Sequence, residues 1–370
     1  MYAQKALLLR CTTILLLFLL VCAMIATAHA DGTGQALDEP PAAYGGQIVV
    51  VGNVVFKFGG ITPVGSNLYF VSCVWVYNIH DQWQRLNLDA FSPGLAFHAA
   101  APFGNAVYLF FGKGGAGGTG ISPDVYAYDP GQMRFQKVAQ DLMAPAPEPV
   151  VYGSAAAGED GIYFTGGEDA SRAPSDQAWR FELEGPLAKW NPLPDMPLPL
   201  AGHSSAVVNN DLYVFGGYSQ QASDKIFRFN HDVDSWEQIG TLPTPLVHAA
   251  TAQMGDHVWL LGGKGRYEQD VDTVLQCRIP DPACTADQPC GQMVCSGAIQ
   301  IPGGARSHTQ AAAFVPSNPM TQGVGGSSLD LPDAYIMVFG GKRGNTILGD
   351  TQLFSPWRKV YLPSGLRNWR

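Results

Sequence analysis

Four histidines stand at comparable places in this chain, His98, His203, His248 and His308, each opening a short apolar run. Imidazoles at one height around an axis would suit a transition metal. Equivalent residues on separate structural units converge only if they point axially, so a structural hydrogen bond at each is expected, with no metal and no cofactor. A second set is cationic: Lys264, Arg266, Arg306, Lys342 and Arg343 crowd the last third of an otherwise acidic chain. A third, Glu168, Asp169 and Arg172, falls within five residues and has the types needed for acid–base chemistry. Gly112–Gly120 holds six glycines in nine residues, but a phosphate cradle needs a following Lys-Ser/Thr and a helix, which are missing. It reads as a flexible loop.

The cysteines point to structure. Cys277, Cys284, Cys290 and Cys295 lie within 19 residues, separated by Pro, Asp and Gln. In an exported chain this predicts two disulfides stapling an insertion too polar to build its own core, with three pairings open. No C-x-x-C knuckle argues for zinc. Cys73, in an alternating strand Tyr69–Tyr77, reads as a small buried residue.

The elements that position these residues are short strands. Ala201–Gly240 reads as four of them: Ser204–Val208, a turn at Asn209-Asn210, Asp211–Phe215 ending in Gly216-Gly217, Ile226–Phe229, and a last strand carrying Trp236. One such sheet cannot close a core. Apolar runs ending in glycine recur, their first glycines being Gly59, Gly112, Gly166, Gly216, Gly262 and Gly340, at intervals of 53, 54, 50, 46 and 78 residues. An aromatic pair recurs downstream: Tyr77 and Trp83, Tyr128 and Phe135, Phe181 and Trp190, Phe229 and Trp236. A period near fifty with these marks is the signature of propeller blades. The chain resembles the kelch-repeat family over nearly all of residues 46–363. The resemblance implies an all-β, six-bladed kelch-type β-propeller with four antiparallel strands per blade.

The blades are placed at about 47–90, 96–142, 150–195, 201–242, 246–301 and 306–362, with a leader at 31–46 and a tail at 364–370. Residues 1–30 read as a signal peptide: Lys5 and Arg10, an apolar run Ile14–Ala26, and the small-x-small site Ala28-His29-Ala30. The rival, a signal anchor, needs about 20 uninterrupted apolar residues, and Arg10 interrupts this run. The mature chain is expected to be secreted, extracellular or on the cell surface, without a membrane span. Its formal charge of −9 becomes −11 once Lys5 and Arg10 leave. That balance gives no electrostatic footprint for nucleic acid.

Strands a to d run from the shaft outward, so b–c loops and d–a connectors share one face, where partners of kelch-like proteins usually dock. Long b–c loops are expected in every blade. The five cations fall on that face of blades five and six and suggest capture of an acidic protein or glycan. The cysteine segment and residues 316–332 fall on the opposite face. The expected function is a protein- or glycan-binding module without chemistry. The alternative is a propeller enzyme acting on sugars, resembling a sialic acid epimerase or carbohydrate oxidase. Its acid–base pair would lie about 5–6 Å apart across the shaft mouth.

Overall fold

Alternation of apolar and polar residues over four to seven positions, broken by Gly, Asn and Asp, favours hairpins over helices. The computed structural model bears this out. It describes residues 40–78, 82–86, 94–114, 120–140, 145–184, 187–279, 293–301, 303–314, 335–355 and 360–362, and among them every regular element is a strand. No helix there is long and apolar enough to cross a membrane.

Six four-stranded antiparallel sheets follow one another, each taken from a single repeat. Blade one is Gln47–Val51, Val54–Phe58, Trp75–Asn78 and Gln82–Arg85; blade two is Ala99–Phe103, Ala106–Phe110, Val125–Asp129 and Arg134–Lys137. Blade three is Ser154–Ala157, Ile162–Thr165, Ala178–Glu184 and Leu187–Leu193; blade four is Ser204–Val208, Asp211–Phe215, Lys225–Asn230 and Ser235–Thr241. Blade five is Ala250–Met254, His257–Leu261, Thr273–Arg278 and Val294–Gln300; blade six is Gln310–Phe314, Tyr335–Arg343, Thr346–Ser355 and Val360–Leu362. Each strand a packs beside strand a of both neighbouring blades, blade six against blade one included, so the ring is closed.

The core is divided among the six seams. Phe56, Phe58, Leu109 and Tyr128 fill the seam of blades one and two, and Phe110, Phe164, Phe181 and Trp190 that of blades two and three. At the closing seam Val55, Trp75 and Trp83 of blade one meet Phe314, Met337 and Phe339 of blade six. Each fully buried large apolar side chain contributes roughly 1.5–3 kcal/mol. The four aromatic pairs are directly cross-strand between c and d, with ring centroids 5.3, 5.0, 4.7 and 5.2 Å apart in blades one to four.

Closure repeats an ordinary inter-blade bond. The second glycine of each pair donates its amide to the connector entering the next blade: Gly60 to Leu95, Gly112 to Val150, Gly167 to Leu200, Gly217 to Leu246 and Gly263 to Arg306. Gly341 donates to Ala43 O at 3.0 Å. The described end of the leader, Pro40–Gly46, is therefore the connector of blade one, docked on blade six.

Three sequence expectations need correction. The first position of the glycine pair in blade two is Phe111, held at φ 55°, and Gly112 is the second. The stretch Tyr69–Tyr77 is not one strand: Asn67–Phe70 pairs with Ile61–Val64 in a separate hairpin, and only Trp75–Asn78 joins the blade. The b–c connection of blade six is short, because its two strands extend into a hairpin and pair as far as Arg343 and Thr346. Residues 1–39, the tail 364–370, and the insertion 316–332 lie outside the described residues.

Candidate functional site at the mouth of the shaft

Each connector takes one left-handed residue before strand a. The six are Gly45, Phe97, Tyr152, Gly202, His248 and His308, with φ between 50° and 68°. Glycine adopts this freely, whereas a side-chain-bearing residue gives up roughly 1–2 kcal/mol. The turn aims each amide at the equivalent carbonyl one blade back. Phe97 N bonds Gly45 O at 2.6 Å, Tyr152 N bonds Phe97 O at 3.0 Å, and Gly202 N bonds Tyr152 O at 2.8 Å. His248 N bonds Gly202 O at 2.7 Å, His308 N bonds His248 O at 3.2 Å, and Gly45 N bonds His308 O at 3.3 Å. Six blades thus share a closed ring of backbone hydrogen bonds.

The side chains on this ring form a half-exposed aromatic platform over the shaft. Tyr44 lies 5.7 Å from Phe97, Phe97 lies 4.8 Å from Tyr152, and Tyr152 lies 4.7 Å from His248. His248 and His308 stack with centroids 4.1 Å apart and planes at 25°. Tyr44 meets His308 edge-on at 6.2 Å. Bulky residues in a conformation that glycine would take at no cost mark a place where side chains serve a purpose beyond the turn.

The histidines do not form one ring. His248 and His308 occupy the left-handed position, while His98 and His203 come one residue later and are buried. His203 makes the expected structural bond, Nε2 to Thr165 Oγ1 at 2.8 Å. Neither ring nitrogen of His98 has a hydrogen-bond partner among the described residues. Desolvation holds His98 near pKa 3 and His203 near 4, the buried Lys57 ammonium adding to the effect on His98. His308 is lowered to about 4, first by burial and then by Lys264 and Lys342, with Asp270 opposing. His248 is driven well down by burial, His308 and Lys264. Stacked face to face, this imidazole pair presents rings rather than a polarised general base.

The cations divide. Arg306 is fully buried: Nη1 and Nη2 bind Asp350 at 3.0 and 2.9 Å, and Nη1 reaches Gly340 O at 3.3 Å. Its place in an exposed patch is overturned. A guanidinium satisfied by a carboxylate and backbone carbonyls is a structural strap, and deprived of water it cannot serve as a surface contact. Lys342 Nζ sits 4.9 Å from the Tyr44 ring centroid, and Lys264 Nζ lies 4.0 Å from Glu268. Arg343 is exposed but bonds Ala305 O at 2.9 Å and also Gly303 O. Arg266 is exposed in the same b–c loop as Lys264.

Blade three contributes its loop to the same mouth. Tyr218 donates to Glu168. Burial raises the Glu168 carboxyl above its usual range, against Arg172 and Lys113. Asp169 instead accepts from Ser171 and Ala173, fixing its own turn. Tyr152 is raised to about 12 by burial, then by Glu168 and Tyr44, with Arg172 opposing. The platform residues Tyr44, Phe97, Tyr152 and Tyr218 do not stand out in the sequence. Their mark there is the position just ahead of strand a, or just after the glycine pair for Tyr218.

On the far side of blade five, Cys277 and Cys295 form a disulfide; Cys284 and Cys290 lie outside the described residues. Cys73 is buried, as expected, and is itself disulfide-bonded; it lies between the strands Asn67–Phe70 and Trp75–Asn78 rather than within one.

Residues 199–243, which include the whole of blade four, match the kelch motif. Alpha-scruin of Limulus polyphemus is 28% identical over 38% of this chain and 15% of its own length. Kelch-like protein 25 of Xenopus tropicalis is 26% identical over 68% of this chain and 41% of its own. Human Kelch domain-containing protein 3 is 29% identical over 45% of this chain and 48% of its own. The chain thus spans less than half the length of each of these relatives.

Proposed function

We propose that this chain, a kelch-repeat β-propeller, is exported and binds an acidic protein surface at the mouth of its shaft. The carrying observation is the aromatic platform of Tyr44, Phe97, Tyr152, His248 and His308, flanked by the Lys264 and Lys342 ammoniums. Half-buried rings give large contact area at low entropic cost, and neighbouring cations favour carboxylates on the partner. Export is supported by the 1–30 segment and by the disulfide chemistry of Cys277, Cys295 and Cys73, which suits an oxidising compartment.

A second reading is an acidic glycan at the same mouth. Tyr44, half-exposed beside Lys342, offers a stacking face next to a positive charge.

The test is capture from extracellular material by the secreted chain, with an acidic-glycan array in parallel, comparing wild type with Lys264→Glu/Lys342→Glu and Tyr152→Ser. Loss of a specific protein partner in both variants supports the first reading, and loss of an array signal the second. Undiminished capture by both variants refutes the mouth as the site. Recovery of a mature protein beginning at residue 1 would refute export through a cleaved signal.

A further inference from the structure

Residues 40–46 cross the mouth face before strand a of blade one begins. Ala43 N bonds Leu348 O at 3.1 Å on the blade-six hairpin, and Gly45 N bonds His308 O on the ring. Between them Tyr44 joins the platform, with Lys342 Nζ over its ring. The nine residues just upstream, 31–39, read DGTGQALDE: three carboxylates and no cation. A chain advances at most about 3.6 Å per residue, so Glu39, five positions before Tyr44, stays within about 18 Å of it. Gly32 and Gly34 favour a flexible segment, and nine such residues have a root-mean-square span of about 15–18 Å. That reach covers blades five and six at the mouth.

The cations there are only partly neutralised. Lys342 is half-exposed and has no ion pair among the described residues. Arg266 is exposed and likewise has none among them. Lys264 reaches Glu268 only at 4.0 Å, and that carboxylate is 87% exposed. Asp270, the other acidic residue of this loop facing the hairpin, accepts the Gly344 amide.

We propose that residues 31–39 fold back over the mouth as an acidic cover, Asp31, Asp38 and Glu39 meeting Lys264, Arg266 and Lys342. Exposed ion pairs hold little individually, but a short tether presents these carboxylates at an effective concentration in the millimolar range. The cover occupies the cations that an acidic partner needs, so capture requires its displacement. In this respect the inference rests on the reading of the mouth as that partner's site; the contact itself does not.

The experiment is zero-length crosslinking of the secreted chain, beginning at Asp31, with a water-soluble carbodiimide, which joins a carboxylate to an amine in contact. Peptide mapping of the monomer should find Asp31, Asp38 or Glu39 joined to Lys264 or Lys342. The yield should fall several-fold near 1 M salt, where screening acts within about 3 Å. No such crosslinks, or equal yields to Lys137, Lys189 and Lys225 on blades two, three and four, would overturn the cover. Crosslinks confined to a dimer would place a second copy's segment on the mouth and overturn it as an intramolecular contact. A second arm uses poly-L-glutamate as the acidic probe. Asp31→Asn/Asp38→Asn/Glu39→Gln should bind it about two- to tenfold more tightly than wild type, and unchanged affinity would overturn the competition. If the crosslinks form but Lys264→Glu/Lys342→Glu binds the probe as wild type does, the contact stands and the mouth falls as the acidic-partner site.

Discussion

Cys277 and Cys295 face each other across strands c and d of blade five, at the register position where blades one to four place an aromatic pair. Val258 pairs with Cys277 as Leu212 pairs with Phe229, so the equivalence is fixed through strand b. The covalent bond does in blade five what ring packing does elsewhere. Closing an 18-residue separation, it should contribute about 3 kcal/mol. Cys277→Ser/Cys295→Ser should lose that amount in chemical denaturation. Cys277→Phe/Cys295→Trp should recover part of it. Failure of the serine pair to destabilise would show that the bond is incidental.

Arg306 and Lys342 should behave oppositely although both are cations of one face. Arg306→Ala leaves Asp350 with a lost partner beside buried carbonyls and should cost about 3–5 kcal/mol. Lys342→Glu, on a half-exposed side chain, should shift stability by less than about 1 kcal/mol. Melting temperatures of the two variants, measured side by side, check this.

Lys57 is buried where blades two to six carry Leu109, Phe164, Val214, Leu260 and Val338. Its Nζ donates to Gly59 O at 3.2 Å and lies 5.2 Å from the Phe339 ring centroid. Burial lowers its pKa from 10.5 to about 7. Between those values the unfolded chain holds the proton and the folded chain releases it, so this residue makes stability rise from pH 7 to 10.5. Lys57→Met should stabilise the fold at and below neutral pH, each tenfold weakening of proton binding that it abolishes being worth about 1.4 kcal/mol. It should also flatten that slope. Denaturation midpoints across this range are the measurement.

The desolvated imidazoles act in a lower window. His98 is held near 3, His203 and His308 near 4, and His248 well below its ordinary value of 6.5. As pH falls from 6.5 towards 4, the unfolded chain takes up protons that the folded one refuses, so stability declines. His203→Gln, which can still bond Thr165, should reduce the decline measured by urea denaturation. An unchanged slope would remove His203 from the account.

The strand pattern made the blades legible because period-two alternation and glycine pairs are local properties. Asn209 and Asn210, both left-handed at 51° and 65°, form the turn their types suggest. Phe111 escapes a local reading for the same reason. Only packing reveals that a fully buried phenylalanine has taken a glycine's φ. The hairpin Ile61–Phe70 is hidden in the sequence because Asn67–Phe70 and Trp75–Asn78 alternate alike, and pairing partners are not local.

By itself, the sequence determined the number of blades, the order of their strands and the aromatic pairs that brace strands c and d. Tertiary structure decided what the conspicuous residues do. One residue of register separates His98 and His203 from His248 and His308, and the left-handed turn at the earlier position sends the two sets different ways. The first two are buried within the blades and the second two cover the shaft. Arg306 and Arg343 both look like surface charge in sequence, yet a carboxylate 44 residues from Arg306 draws it into the interior. Such partners are set by ring closure, which brings distant repeats together and leaves no trace in the spacing of either residue.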